Sequence, residues 1–361
     1  MRFLVFNWRD LSHPEAGGAE VFIFKVIEAL LKQGHKVDVF CGSFPGAEKT
    51  TIYKGARIFR AGNRITTYLL APIYYLFKLR KRYDVVIDSI NGIPWFTPLF
   101  VRTKRIAMFY HVVGDIFFKE LPFPLACIAY FIERYLIGLL YFRTPFVTIS
   151  NSTKEELVRL GVVEKNISLS YSGVDQELYH RAKKPATKPR LIFVGRFKRY
   201  KRIELLIDIF HLIKKKIPAA ELFLVVSPGE SEPIVRERIK KYGLPDVHIL
   251  DFSDKRDKVK LMQTCRLNVS ASYKEGWGLT IIEANACGMP SVAFNVPGLN
   301  ESIVDGKTGL LANSVEGFAD HCVRLLNNKT LYEKLSEEAY KWSKTFSWER
   351  TTEDMLAALK K

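Results

Sequence analysis

Residues 273–294 read YKEGWGLTIIEANACGMPSVAF. The preceding RLNVSAS has the short apolar pattern of a strand and TIIEANAC that of a helix, which Gly288 ends and Pro290 keeps from resuming. PSVAFN then begins another strand. Strand, loop, helix, strand is the unit of parallel sheets with helical crossovers. In such sheets ligands bind beyond the carboxyl ends of the strands, which is where YKEGWGL falls.

Two carboxylates flank this glycine-broken stretch, Glu275 in the loop and Glu283 in the first turns of the helix. Gly276 and Gly278 let a ligand approach the backbone, and the unpaired amides at the helix start favour an anion. Carboxylates accept hydrogen bonds from hydroxyls, so the two acids can hold hydroxyls at opposite ends of a ligand with phosphate in its middle. A nucleotide-sugar has that form. Two solvated acids, one of them serving the helix dipole, would satisfy an isolated pair equally well, and the surroundings decide between the readings.

Working outward, PRLIFVGR, AELFLVVS and DVHILDF join the same strand series and define a domain over residues 186–345. Ahead of it, RFLVFN, the helical AEVFIFKVIEALLKQG closing on Gly34, KVDVFCG, YDVVIDS, RIAMFYH and PFVTIS describe a first α/β domain over 1–175. HRAKKPATKP, polar and with two prolines, is the linker. A helix over about 346–361 can pack on either domain, including back on the first. The fold class expected is α/β: two Rossmann-like, doubly wound domains facing each other across a cleft.

The composition, 48% hydrophobic and 26% charged over 361 residues, excludes a disordered chain. Fifty-five Lys and Arg against 38 Asp and Glu give a net charge of +17. The excess is spread over both halves, with 23 basic and 16 acidic residues in 1–180, so no single basic tail explains it. Such a surface attracts a phosphorylated substrate, an anionic membrane or a nucleic acid. No recognised nucleic-acid motif organises the cations, and nucleic acid is not expected as a partner. Five scattered cysteines have neither metal-ligand spacing nor a disulfide framework. MRFLVFNW lacks the long apolar core of a signal peptide, so a cytoplasmic location is expected.

Two N-terminal segments are unusually apolar: YLLAPIYYLF, followed by the basic knot KLRKR at 78–82, and LPFPLACIAYFIERYLIGLLYF, which Glu133 and Arg134 interrupt. Neither is expected to be long enough to span a bilayer. They read either as core helices or as helices resting in the interface of an anionic membrane, with the protein peripheral on its cytoplasmic face.

EGWGLTIIEANACGMPSVAFNVPGLNESIVDGKTGLL, residues 275–311, resembles the E-x7-E block of the retaining nucleotide-sugar glycosyltransferases of the GT-B fold, family 4. HPEAGGAE, VTISNSTKEEL, YSGVD, VGRFKRYKR and FSW extend the likeness over nearly the whole chain. The resemblance implies a hexosyltransferase using a UDP- or GDP-linked donor; the basic, aromatic-rich N-terminal segments point to a glycan or lipid-linked acceptor, in cell-envelope glycan or glycolipid synthesis, with a soluble sugar acceptor left open. By the same likeness, Glu275 and the backbone of Gly276, Trp277, Gly278 and Leu279 contact the donor sugar, and Glu283 holds the ribose. Arg196 and Lys201 grip the diphosphate, Gly17 and Gly18 close over it, and His111 faces the transferred sugar.

Fixed cations aimed at a departing diphosphate stabilise its growing charge, Arg196 as a planar fork and Lys201 as a point charge. The chain has no Asp-x-Asp, so neither a metal nor another cofactor is expected. The sequence departs from the family at Ser227-Pro228 and at Phe252-Ser253-Asp254, in loops that would cradle the base. Nucleotide-sugar epimerases share the fold and are the alternative enzyme class. A basic nucleic-acid-binding protein is the alternative from outside enzymology.

Overall fold

The computed structural model describes residues 1–80, 82–183, 186–251 and 254–360. Lys81 of the basic knot and Phe252-Ser253 lie outside the described residues. The chain divides into two compact units, one of Met1–Gly173 with the stretch from Trp348 onward, the other of Val174–Ser347.

The first unit is built on an eight-stranded sheet: β1 (Arg2–Phe6), β2 (Lys36–Cys41), β3 (Thr50–Tyr53), β4 (Ala56–Arg60), β5 (Val85–Ile90), β6 (Lys104–Phe109), β7 (Phe146–Thr148) and β8 (Ile167–Leu169). Their spatial order is β3-β4-β2-β1-β5-β6-β7-β8, parallel except for the β3–β4 hairpin. The chain first winds outward from β1 to β2 and then returns to β5 on its other side, so β1 and β5 flank a switch point. On the Gly18–Lys32 helix Phe22, Ile23, Val26, Ile27 and Leu30 recur at helical spacing and are buried. The Trp348–Ala358 helix belongs to this unit. The Trp348 ring stands edge-on to Phe22 at 5.5 Å, and Ser170 Oγ donates to the carbonyl of Thr351 at 2.8 Å.

The second unit has six parallel strands: β9 (Arg190–Arg196), β10 (Glu221–Ser227), β11 (Val247–Leu250), β12 (Leu267–Ser270), β13 (Ser291–Phe294) and β14 (Gly309–Ala312). Their order, β11-β10-β9-β12-β13-β14, puts its switch point between β9 and β12. The Ile203–Lys216 helix buries Ile203, Leu206, Ile207, Phe210 and Ile213 and ends on Lys214, Lys215 and Lys216, whose charges suit its carbonyl end.

Both units are therefore doubly wound and Rossmann-like. The β3–β4 hairpin and the short β8 and β14 were absent from the sequence reading. One expectation is corrected: Phe123–Leu140 is a continuous helical run of 18 residues, apolar and long enough by composition to cross a membrane, although only 22% of it is buried.

Candidate functional site

In the second unit the loops leaving β9 and β12 meet at the switch point. Tyr273 N donates to Tyr200 O at 2.8 Å, and the Arg202 guanidinium donates to the carbonyls of Ala271 and Ser272 at 2.7 and 3.3 Å. These bonds bring Arg196, at the end of β9, and Lys201 together with the 273–278 loop. Gly298 (φ +81°) holds the loop from behind: a Cβ there would fall 2.2 Å from the Glu275 carbonyl oxygen, so no larger residue fits.

Lys201 Nζ lies 2.5 Å from Glu275 Oε1, and both side chains are less than a fifth exposed. Burial alone would lower the Lys201 pKa. The charge of Glu275 and its hydrogen bond outweigh burial, while Arg196 pulls the other way, and the ammonium stays above the usual lysine range. Three predicted site residues thus form one electrostatic group. The lysine expected on phosphate and the glutamate expected on the sugar are bonded to each other.

Glu283 sits on the Leu279–Ala286 helix, whose N-cap Gly278 takes φ +91°, a left-handed conformation that suits glycine. Its carboxylate pairs with Lys258 Nζ at 2.9 Å and adjoins Tyr179, whose phenol burial, and then the Glu283 charge, push well above its ordinary pKa. Leu279 opens the helix. Trp277 turns inward, 2% exposed and edge-on to Phe346 at 5.3 Å, so its indole belongs to the core. Beside β9, Lys198 pairs with Glu230 at 3.1 Å, and a Cβ on Gly229 would fall 2.2 Å from the Phe197 carbonyl, fixing the Ser227-Pro228 loop against 196–199.

In the first unit Gly17 caps the Gly18–Lys32 helix. Its N–H donates to Glu20 Oε2 at 2.7 Å, and Glu20 lies 3.5 Å from Arg9 Nε. A buried carboxylate therefore already occupies one amide of the predicted phosphate loop. The loop's other end is tied to β4, where Arg60 Nε donates to Asp10 Oδ2 at 2.7 Å and Ser12 N donates to Oδ1 at 2.8 Å.

His111, half-buried, follows β6. The next turn is held by Glu133, 2% exposed, which accepts from Val113 N at 2.8 Å and Gly114 N at 2.7 Å. Sequence reasoning missed Glu133 and the Asp10–Arg60 pair beside the predicted residues of the first unit, and Lys258 beside Glu283 in the second. The one available signal was Glu133 itself, a charge inside an apolar run, which needs a partner if it is buried. Among the described residues no group of three His, Cys, Asp or Glu side chains is arranged to hold a metal ion.

The model of glycosyl transferases group 1 matches residues 175–342 and that of glycosyltransferase family 4 matches residues 16–178. A D-inositol 3-phosphate glycosyltransferase of Corynebacterium glutamicum is 27% identical, over 93% of this chain and 90% of its own. An uncharacterized glycosyltransferase of Methanocaldococcus jannaschii is 23% identical over 94% of both. Other relatives align over about half their length, as does a second uncharacterized glycosyltransferase of the same archaeon, 28% identical over 56% of this chain and 54% of its own. Among solved structures, Anabaena HepE with UDP and glucose superposes with a TM-score of 0.80 at 16% identity, covering 100% of this chain and 99% of its own. Sucrose-phosphate synthase of Thermosynechococcus elongatus gives 0.79 at 19%, covering 99% and 97%.

Proposed function

Because this chain belongs to the family 4 glycosyltransferases of the GT-B type, we propose that it moves a hexose from a UDP- or GDP-linked donor to a hydroxyl of a glycan or lipid-linked acceptor, with retention of configuration. The observation that carries this reading is the Lys201–Glu275 pair beside Arg196 at the switch point of the second unit. An ammonium has three donors. Lys201 can keep Glu275 oriented with one of them and turn another to an incoming phosphate, while the free oxygen of Glu275 accepts from a sugar hydroxyl.

As the anomeric carbon–oxygen bond breaks, its electron pair passes to the diphosphate, and Arg196 and Lys201 stabilise that charge without needing a metal. The acceptor hydroxyl attacks from the same face and gives its proton to the leaving phosphate. His111 orients the sugar, Glu283 the ribose, and the amides around Gly17 and Gly18 take part in holding the phosphates. The reaction serves envelope glycan or glycolipid synthesis on the cytoplasmic side of a membrane.

The test is a thermal-shift comparison of UDP and GDP, since a ligand bound only by the folded state raises its melting temperature. Incubation of the matching nucleotide-sugars with glycan and lipid acceptors, with the product anomer read by NMR, completes it. Stabilisation by neither nucleotide, or sugar release with no acceptor consumed, overturns the reading, the latter in favour of an epimerase.

A further inference from the structure

We propose that one face of the first unit is a docking surface for an anionic lipid bilayer, built by two crossover segments that the site does not use. Val86 and Ile90 of β5 are four residues apart and so point to the same face of the sheet. Val86 packs with Ala71, Tyr75 and Leu79 of the first segment, and Ile90 with Ile137 and Tyr141 of the second. Between them Asp88 accepts from Tyr141 Oη at 2.5 Å. Both segments therefore cover one face of the sheet and turn their other sides outward.

Those outer sides are apolar. Leu69, Ile73 and Phe77 are 68%, 51% and 84% exposed, and Phe123, Phe131 and Leu139 are 72%, 54% and 66% exposed. Soluble monomers rarely leave so many large apolar groups open on one face. The charges around them are mainly of one sign: Arg64, Lys78, Arg80 and Arg82 in the first segment and Lys119, Arg134 and Arg143 in the second are exposed, against the exposed acids Asp84, Asp115 and Glu120 at the segment ends. An apolar face fringed by cations complements the boundary between acyl chains and anionic headgroups. A second copy of the chain would set like charges against each other.

The Phe123–Leu140 run lies along the bilayer and does not cross it. Its chain comes from β6 and returns to β7, adjacent parallel strands with Ala107 beside Phe146, and Glu133 in its middle stays bonded to Val113 and Gly114. The surface deepens the function proposed above by giving a lipid-linked acceptor a place of presentation, and it rests on that reading for its purpose alone.

Flotation of the full chain with phosphatidylcholine vesicles, with and without phosphatidylglycerol, tests it. Binding is expected to phosphatidylglycerol vesicles and to be released by high salt. Replacing Lys78, Arg80 and Arg82 with Gln should weaken partitioning about fivefold per charge, on the order of a hundredfold in all. Phe77→Ser/Phe131→Ser/Leu139→Ser should abolish it, with the nucleotide thermal shift of both variants unchanged to show that the fold persists. No binding, equal binding to both vesicles, or a wild-type dimer that the serine variant dissolves overturns the proposal, the last by assigning the face to a second copy. Vesicle binding with no sugar transfer would instead overturn the function and leave the surface standing.

Discussion

The two units share a winding scheme but prepare the loops beyond their strands differently. In the second unit the polar groups at the strand ends are bonded to one another, Lys201 to Glu275 and Lys258 to Glu283, so charges are stored as neutral pairs that a ligand can redirect. In the first unit carboxylates from neighbouring segments hold backbone, Glu20 on Gly17 N and Glu133 on Val113 and Gly114 N. The difference teaches that one sheet topology can supply charge in one place and shape in another. Substitutions should accordingly fail in different ways: removing Arg196 or Lys201 from the second unit should remove transition-state stabilisation, whereas changes in the first should misplace groups that remain present.

The largest expected effect is on the charge side. Arg196→Ala and Lys201→Ala should each lower kcat by roughly tenfold to a thousandfold. Steady-state transfer rates check this, and near-normal turnover in both variants would remove the second unit's claim to the chemistry. Excess chelator should leave wild-type transfer unchanged, whereas activity lost to chelator and restored by manganese or magnesium would hand the phosphate charge to a metal.

Glu133 tests the other side. Glu133→Gln turns an amide N–H toward one of the two backbone donors, and the loop bearing His111 should shift enough to lower kcat by about tenfold to a hundredfold while donor KM holds. In a His111→Ala background the same change should add less than about twofold, because its effect passes through that loop. A full additional loss would make Glu133 a support of the fold alone.

How much of this could be read from the chain depends on whether the partners are local. The parallel alternation was legible because RFLVF, RLIFVGR and LNVS announce buried strands between amphipathic helices, and the family was legible because the E-x7-E block lies within one strand–loop–helix unit. The pairs were not. Glu133 finds its amides nineteen and twenty residues upstream, and Asp10 finds Arg60 fifty residues downstream. Lys258 lies in KRDKVK, where nothing distinguishes it from solvated neighbours until β12 and its following helix bring Glu283 to it. Such bonds depend on register between strands, which periodicity does not encode. The 18-residue helical run also escaped, since Glu133 and Arg134 read as breaks whereas the structure carries them inside a π-helical turn, Ile132–Leu136.

A smaller effect is expected from Lys258→Met, which leaves Glu283 with fewer donors to orient it. Donor KM should rise about threefold to tenfold with kcat nearly constant, the signature of lost uniform binding. An equal fall in kcat would instead place Glu283 among the groups that act only in the transition state.

The smallest effect is a slope and concerns the anchor of the first unit's loop. Burial opposes ionisation of Asp10, but hydrogen bonds from Arg60 and Ser12 and the Arg60 charge outweigh it, so its folded pKa lies below the ordinary 3.8. A depressed acid binds its proton more weakly in the folded chain than in the unfolded one. Its stabilising contribution is thus present above the ordinary pKa and is lost as pH falls through the folded value. Asp10→Asn cannot titrate, so its stability should be lower at neutral pH and should converge on that of the wild type below pH 3.8, where the wild-type slope exceeds the variant's by at most about 1.4 kcal/mol per pH unit. Urea unfolding at a series of acidic pH values measures the two slopes. Parallel curves would show that Arg60 holds the loop without the Asp10 charge, and the first unit would then share with the second a pair whose neutrality matters more than its ionisation.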